Sequence, residues 1–155
     1  MKLNEIIYYF LHNYPYSDEL SKTRITKMVY LADWYSAVNY GKQITDIEWY
    51  FDHYGPYVID VYDAAKDDKN IVIENSFSQF GSPKEIIRLN NNSNGSFTLT
   101  TDEKVTLDKV INDTRYMYWN DFIKYVYDTY PIKSQQRYST LNLVNLAEES
   151  KFNKN

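Results

Sequence analysis

The chain has 155 residues, enough for one domain with a hydrophobic core but too few for two comfortable domains. It contains no cysteine, which excludes disulfide bonds, thiolate catalysis and cysteine-based zinc sites and is typical of a reducing compartment. Its formal net charge of -4 argues against tight direct binding to nucleic acid, because neutralising phosphates requires concentrated Lys and Arg.

The N-terminal segment lacks the features of a secretory signal. Asn4 and Glu5 lie among its apolar residues, and a basic start followed by a long apolar run is missing. The sequence has no stretch that is long and apolar enough to cross a membrane. We therefore expect a cytoplasmic protein without a membrane partner.

Two helices are predicted first. The apolar residues of 3–14 recur on one side, and Pro15 ends this helix. The polar residues 17–19 then supply a capping oxygen and negative charge before a second helix over residues 22–39. The apolar surface of the second helix is wide, which is typical of a central helix, and Gly41 suits the left-handed position that ends it.

A half-buried strand is predicted over residues 45–52, where apolar and polar side chains alternate. Tyr54, Gly55 and Pro56 break this strand. Pro56 suits the first turn of a following helix, because that position needs no intrahelical donor. The buried stripe of this helix runs from Val58 to Ala65.

Short strands are predicted next, over residues 71–76, 85–89 and 97–100. The segment 90–96 holds mainly Asn, Ser and Gly and connects the last two strands as a flexible hairpin. These strands predict a small antiparallel sheet.

The C-terminal part is predicted to be helical. Thr100 and Glu103 have capping-box spacing and start a helix, and another helix runs from Asn120 to the residue before Pro131. A short helix over 141–147 ends the domain.

The order of these elements predicts a mainly helical α+β fold, with a small antiparallel sheet inserted between N-terminal and C-terminal helices. We expect a single domain over residues 1–150. Residues 151–155 are expected to form a frayed C-terminal tail.

The sequence predicts no catalytic, cofactor or metal site. Its four glycines are too far apart for a phosphate-binding loop. His12 and His53 lie on different predicted elements, and no Ser or Thr occupies a nucleophile motif that a histidine would activate. Asp33 lies in an apolar part of the central helix, where a buried carboxylate is costly unless paired. We expect a tyrosine hydroxyl or a basic partner for it inside the fold, whereas a catalytic role would require a converging base.

Two further groups of residues have a structural interpretation. The cluster Lys22, Arg24 and Lys27 at the start of the central helix is typical of a solvated helix face. The three tryptophans are expected in the core.

Several short motifs run through residues 22–66. They are Lys22, Thr23, Arg24 and Ile25 followed by Lys27; the run Val29 to Trp34, which contains Asp33; Tyr40 and Gly41; Ile44 and Thr45; Tyr54, Gly55 and Pro56; and Val61 and Tyr62. Together they resemble the Panacea domain, also called the SocA-like antitoxin domain. The resemblance is looser in the second half of the chain, where Tyr125, Val126 and Tyr127 before Pro131 are similar to the family's late helix.

The resemblance implies a binding protein. Panacea domains are antitoxins that neutralise unrelated toxins, and the founding example also delivers its toxin to a Clp-type protease, which makes such a protease a candidate partner. The family is common in phages and prophages. The first hypothesis is therefore an antitoxin of a toxin–antitoxin system that occludes its toxin by stoichiometric binding. The second is a phage anti-defence protein that binds a host immune effector, and the third is a small enzyme. The toxin, the oligomeric state and the bacterial or phage origin stay open.

Tyrosine is the compositional outlier, with 17 residues, and it is favoured where a surface must be both wet and adhesive. The periodicities leave five tyrosines outside the core stripes. They are Tyr8, Tyr9, Tyr50, Tyr57 and Tyr125. Each lies near acidic or polar residues, so one hypothesis is an acidic, aromatic patch that docks a basic partner. The alternative is a scatter of unrelated surface tyrosines.

Overall fold

The computed structural model describes residues 2–16, 20–78, 80–90 and 98–153. Within these ranges the chain forms seven helices and five strands, which confirms the predicted mainly helical α+β fold. In chain order they are α1 (Lys2–Asn13), α2 (Lys22–Tyr40), β1 (Trp49–Asp52), β2 (Gly55–Tyr57), α3 (Asp60–Lys66), β3 (Ile71–Phe77), β4 (Pro83–Leu89), α4 (Thr101–Thr114), α5 (Trp119–Tyr127), α6 (Tyr130–Ser134), β5 (Ser139–Leu141) and α7 (Leu143–Phe152). None of the described helices has both the length and the apolar character that a membrane span requires.

Helix α2 is the centre of the fold, and 13 of its 19 residues are buried, so it is enclosed rather than packed along one face. Its N-cap is Ser21, whose hydroxyl accepts a hydrogen bond from the Arg24 N–H at 3.1 Å. The predicted capping residues 17–19 lie outside the described residues. Gly41 ends the helix in the left-handed region at φ 71°, as predicted, and its N–H donates to the Ala37 carbonyl at 3.0 Å.

The basic residues at the start of α2 do not form a solvated face. Arg24 and Lys27 are buried, and only Lys22 is partly exposed. The Arg24 guanidinium donates to the carbonyls of Thr114 and Met117, each at 3.0 Å, and so ties α2 to the turn between α4 and α5. The expectation failed because helical periodicity places charges on a solvated face only when one side of the helix faces water.

Two short strands replace the single predicted strand and the start of the next helix. Strand β1 begins at Trp49, and residues 45–48 precede it without strand structure. Pro56 lies in β2 opposite Phe51 instead of in a first helical turn, and α3 starts only at Asp60. Pro56 is tolerated there because β2 is an edge of the sheet, whose strand order is β2-β1-β5.

The β-structure forms two small sheets. Strand β5 comes from the C-terminal part and pairs antiparallel with β1, a contact that the sequence did not reveal because the strand is only three residues long. Strands β3 and β4 form a separate hairpin, in which β4 begins at Pro83. Of the third predicted strand, residue 97 lies outside the described residues and residues 98–100 form no strand.

The later helices follow the prediction with shifted bounds. The capping box of Thr100 and Glu103 is present at the start of α4. Helix α5 ends at Tyr127, before the predicted end at the residue preceding Pro131. Pro131 instead lies in the first turn of the separate helix α6, where its missing N–H costs no hydrogen bond. Helix α7 continues to Phe152, and residues 154 and 155 lie outside the described ranges.

Trp34 and Trp49 lie in the core as expected, but Trp119 does not. It is 44% exposed at the start of α5. Its ring packs against the buried ring of Phe122 with centroids 6.0 Å apart. Trp119 therefore covers the edge of the core instead of filling it.

Position 55 requires glycine because of its backbone conformation and because of its close contact with Tyr127. Its φ is +99°, and a Cβ at this position would lie 3.0 Å from a ring carbon of Tyr127. We predict that Gly55→Ala lowers the free energy of unfolding by about 1–3 kcal/mol, because both the backbone and the ring must shift. Urea denaturation followed by circular dichroism measures this change.

Gly81→Ala is the matched control, because Gly81 also has a positive φ, +82°, but nothing lies within 4 Å of its added Cβ. Its cost should contain only the backbone contribution. If Gly55→Ala is no more destabilising than Gly81→Ala, the contact with Tyr127 does not constrain the hairpin.

Candidate protein-binding surface

Asp33 is the polar centre of the core. It is fully buried on α2, and its carboxylate accepts hydrogen bonds from the backbone N–H groups of Ile44 at 2.9 Å and Thr45 at 3.0 Å. The Thr45 hydroxyl donates at 2.5 Å and the Trp49 indole at 2.8 Å. The expected tyrosine or basic partner is therefore wrong, since these donors are amides, a hydroxyl and an indole.

Burial raises the pKa of Asp33 to about 6, and the hydrogen bonds from Thr45, Trp49 and Ile44 limit this rise because they favour the ionised form. These bonds fasten the segment between α2 and β1 onto the central helix. Both carboxylate oxygens are engaged, so the geometry gives Asp33 a structural task.

Lys27 fastens the next part of the chain. Its ammonium group is buried and donates to the Pro56 carbonyl at 3.2 Å, which links α2 to the edge strand of the sheet. Burial lowers the pKa of Lys27 to about 8, while the negative charge of Asp52 acts in the opposite direction. Four motif residues, Lys27, Asp33, Gly55 and Pro56, thus hold the hairpin of β1 and β2 against the centre of the fold.

The two acid–base candidates, Asp33 and His53, are not brought together. The hydrogen bonds of Asp33 go to residues 43–49, whereas His53 lies exposed in the turn between β1 and β2. The Nδ1 atom of His53 lies 3.0 Å from the Tyr138 hydroxyl. Among the residues that the structure describes, no group of three or more His, Asp or Glu side chains is arranged to hold a metal ion.

Of the five candidate tyrosines, Tyr50 and Tyr57 are direct neighbours. They lie opposite each other on β1 and β2, and Tyr50 is also opposite Thr140 on β5. Directly opposed residues share a face of an antiparallel sheet, so these three side chains form a row across it. Tyr50 is exposed and Tyr57 is half-buried.

The other three candidates are half-buried and hydrogen bonded within the chain. On α1, the Tyr8 hydroxyl donates to Asp68, and the Tyr9 hydroxyl donates to Asp108 at 2.5 Å. Burial, reinforced by the bond to Asp108, raises the pKa of Tyr9 to about 12. On α5, the Tyr125 hydroxyl is hydrogen bonded to that of Tyr35. These tyrosines are anchored to different parts of the fold.

An acidic cleft that the sequence reasoning missed lies between α1, the segment before β1, and α3. Its volume is about 1300 Å³, and six carboxylates and two lysines line it. The carboxylates are Glu5, Asp46, Asp60, Asp63, Asp67 and Asp68, and the lysines are Lys2 and Lys69. Tyr8 also lines this cleft, together with apolar side chains such as Leu3 and Ile44.

Part of this cleft was readable in the sequence. Asp60, Asp63 and Asp67 recur at helical spacing, which places Asp60 and Asp63 on one side of α3 and Asp67 on the same side at its C-cap. Glu5 and Asp46 join them only through the packing of α1 and of the segment held by Asp33. No local pattern could have supplied that contact.

A second exposed surface surrounds the turn of the β1–β2 hairpin. Tyr54 is 74% exposed and Tyr138 is 60% exposed, and the ring of His53 packs edge-on against Tyr54 at 4.5 Å. Tyr138 has φ 67°, which is unusual for a bulky residue and marks local strain. The strained backbone is held because the Tyr138 N–H donates to the Phe51 carbonyl at 2.5 Å.

We predict that Asp33→Asn changes how stability depends on pH. The folded pKa of Asp33 is raised from 3.8 to about 6, so its ionisation opposes folding, and its contribution to stability declines as pH rises through this window. Between pH about 4 and about 6 the unfolding free energy of the wild type relative to that of the variant should therefore fall with pH, by about 1.4 kcal/mol in total for each unit of this pKa shift.

The variant should also be less stable than the wild type at pH 7, because an amide nitrogen faces the Trp49 indole donor in place of a carboxylate oxygen, at a cost of about 1–3 kcal/mol. Urea denaturation across the pH series measures both effects. Asp46→Asn, which changes an exposed carboxylate in the same segment, is the control and should keep the wild-type slope. Equal slopes in the wild type and Asp33→Asn would contradict the prediction.

A comparison with protein families identifies the scaffold. The family model described as antitoxin SocA-like, Panacea domain, matches residues 25–131, which run from α2 into α6 and include Lys27, Asp33, Gly55 and Pro56. No curated protein and no solved structure matches the chain. The matched segment is well over half of the chain and contains the buried contacts that hold the hairpin to α2. The chain belongs to the SocA-like, Panacea domain family of antitoxin-like proteins.

Proposed function

We propose that this chain is an antitoxin that neutralises a cognate toxin by direct stoichiometric binding in the cytoplasm. Membership of the Panacea family carries the proposal. The absence of cysteine from the sequence is consistent with a reducing compartment. Neutralisation by binding needs a surface that competes for the toxin's working face.

The acidic cleft supports the proposal that the partner is basic. Six carboxylates around one open cleft outnumber its two lysines, so the local potential is negative and attracts a positively charged surface. A toxin that acts on nucleic acid needs concentrated Lys and Arg to bind phosphates. We infer that the cleft covers such a basic working surface and keeps it from its substrate.

The tyrosines supply the second part of the proposed interface. Tyr8 lies in the cleft itself, and Tyr50 and Tyr57 form the row on the outer face of β1 and β2. Tyrosine contributes contact area at low entropic cost and is enriched among interface residues that dominate binding energy. Tyr9 and Tyr125 are candidates for the periphery, because they line neither the cleft nor the row and their hydroxyls, like that of Tyr8, are bonded within the chain.

The burial and the internal hydrogen bonds of the polar groups in the core support a noncatalytic mechanism. Asp33 and Lys27 are two ionisable groups of the motif with displaced pKa values, and displaced values often mark catalytic residues. Here both side chains are buried and their bonds go to the protein's own backbone and side chains. They would have to leave these partners before they could reach a substrate.

The test is protection in cells that express the toxic product of a small open reading frame next to this gene. Coexpression of the wild-type chain should restore growth, and the two proteins should copurify in equal amounts. Failure of the wild-type chain to protect against any neighbouring product would reject the antitoxin function. Copurification with a host immune effector instead would favour the anti-defence alternative.

Charge reversal separates the cleft from the rest of the surface. Asp46→Lys combined with Asp67→Lys reverses two exposed carboxylates of the cleft, and we predict about tenfold weaker toxin binding, with loss of protection. Glu148→Lys on α7 makes a matched change at an exposed position outside the cleft and should leave binding intact. Thermal melting shows whether each variant is folded. If Glu148→Lys and the cleft variant bind equally well, the antitoxin function stands but the cleft is not its docking surface.

A further inference from the structure

The outer edge of β3 carries backbone groups that have no hydrogen-bond partner among the described residues. The Asn90 N–H donates to the Asn70 carbonyl at 2.7 Å, so these two residues form a hydrogen-bonded pair. Hydrogen-bonded and non-hydrogen-bonded pairs then alternate along β3 and β4. Even-numbered residues of β3 therefore bond to β4, and Ile73, Asn75 and Phe77 direct their N–H and C=O groups away from it. No hydrogen bond from another described residue reaches these outward groups.

The opposite edge of the hairpin is already covered. The Ile87 N–H of β4 donates to the Leu20 carbonyl at 3.0 Å, and Ser21 forms an isolated bridge with Ile86. The open edge is thus confined to β3. An unpaired edge of this kind is a template for another strand, because only an extended strand offers alternating donors and acceptors at the matching spacing.

A groove lies beside this open edge. Its volume is about 300 Å³, and it is lined by residues of α3, β3 and β4, among them Ala65, Ile71 and Ile73. Ile71, Ile73 and Asn75 all line it, so it lies on the face of the sheet to which odd-numbered residues of β3 belong. Phe77 is on the same face of β3 and is 69% exposed.

We propose that β3 pairs antiparallel with β3 of a second copy of this chain, about a two-fold axis at Asn75. In this register Asn75 lies opposite Asn75 of the second copy, and Ile73 lies opposite its Phe77. All three outward-facing residues then become hydrogen-bonded pairs, and the two hairpins join into one four-stranded sheet. Each exposed Phe77 ring stands over Ile73 at the groove of the other copy.

The side chains select this register over its neighbours. With the axis at Asn75, Glu74 lies opposite Ser76 of the second copy. An axis at Glu74 would place two Glu74 carboxylates directly opposite each other, which is repulsive. An axis at Ile73 would require the Ile71 N–H, which already donates to the Asp68 carbonyl at 3.1 Å. An axis at Ser76 would place Ile73 opposite a position beyond the end of β3, so the axis at Asn75 is favoured over these three alternatives.

The first test is the oligomeric state of the full chain, measured by sedimentation velocity from about 1 µM to about 200 µM. We expect a monomer–dimer equilibrium within this range. Phe77→Lys should weaken the dimer by about tenfold or more, because it removes the ring from the groove and adds a charge there. Phe80→Lys is the matched control, since Phe80 is 86% exposed but lies beyond the end of β3, and it should leave the dimer intact.

The second test uses the absence of cysteine from the chain. Hydrogen-bonded antiparallel pairs have Cα atoms about 5.5 Å apart, within the range of about 4.4–6.8 Å that a disulfide spans. Mild oxidation of Asn75→Cys should therefore yield a covalent dimer at concentrations where the dimer forms. Ser76→Cys should not cross-link, because in this register Ser76 faces Glu74 of the second copy.

A chain that stays monomeric over the whole range, or a dimer that survives Phe77→Lys, would overturn the proposal. Equal cross-linking of the Asn75→Cys and Ser76→Cys variants would also overturn it. A monomer in which Phe77→Lys abolishes toxin binding would assign the edge to the toxin instead of a second copy. Circular dichroism of each variant confirms that the hairpin is intact.

Discussion

The burial of charged groups on α2 is the constraint on which the rest of the structure depends. Asp33, Lys27 and Arg24 enter the core with their helix, and an unpaired buried charge costs several kcal/mol. Each donates or accepts hydrogen bonds with a different part of the chain: the segment before β1, the edge strand β2, and the turn between α4 and α5. The hydrogen bonds of three residues on one helix therefore position three distant segments of the chain.

This arrangement explains why the family motif and the proposed binding surfaces are different parts of the molecule. Lys27, Asp33, Gly55 and Pro56 have their side chains or backbone turned into the fold, where they hold the hairpin against α2. The acidic cleft, the tyrosine row and the open edge of β3 lie outside that core. A scaffold built in this way can keep its buried contacts while its exposed residues vary.

The negative charge of the chain is concentrated locally on its surface. A formal charge of -4 is modest for 155 residues, but six carboxylates converge on one cleft because α1, α3 and the segment before β1 meet there. Local potential depends on such convergence more than on the total charge, since salt screens exposed charges that are more than about 8–10 Å apart. The direction of α3 and the anchoring of the preceding segment by Asp33 thus contribute to the electrostatics of the surface.

The sequence by itself determined the features that depend on neighbouring residues. These include the central helix with its Gly41 end, the capping box of α4, the strands β3 and β4, the Panacea motifs and the helical spacing of the acidic residues at α3. Tertiary structure decided what depends on distant partners: the burial of Arg24 and Lys27, the neutral donors around Asp33, the place of Pro56 in an edge strand and the pairing of β5 with β1. The physical reason is that hydrophobic and helical periodicities report local preference, whereas a buried charge or an edge strand is stable only when its partner arrives from elsewhere in the chain.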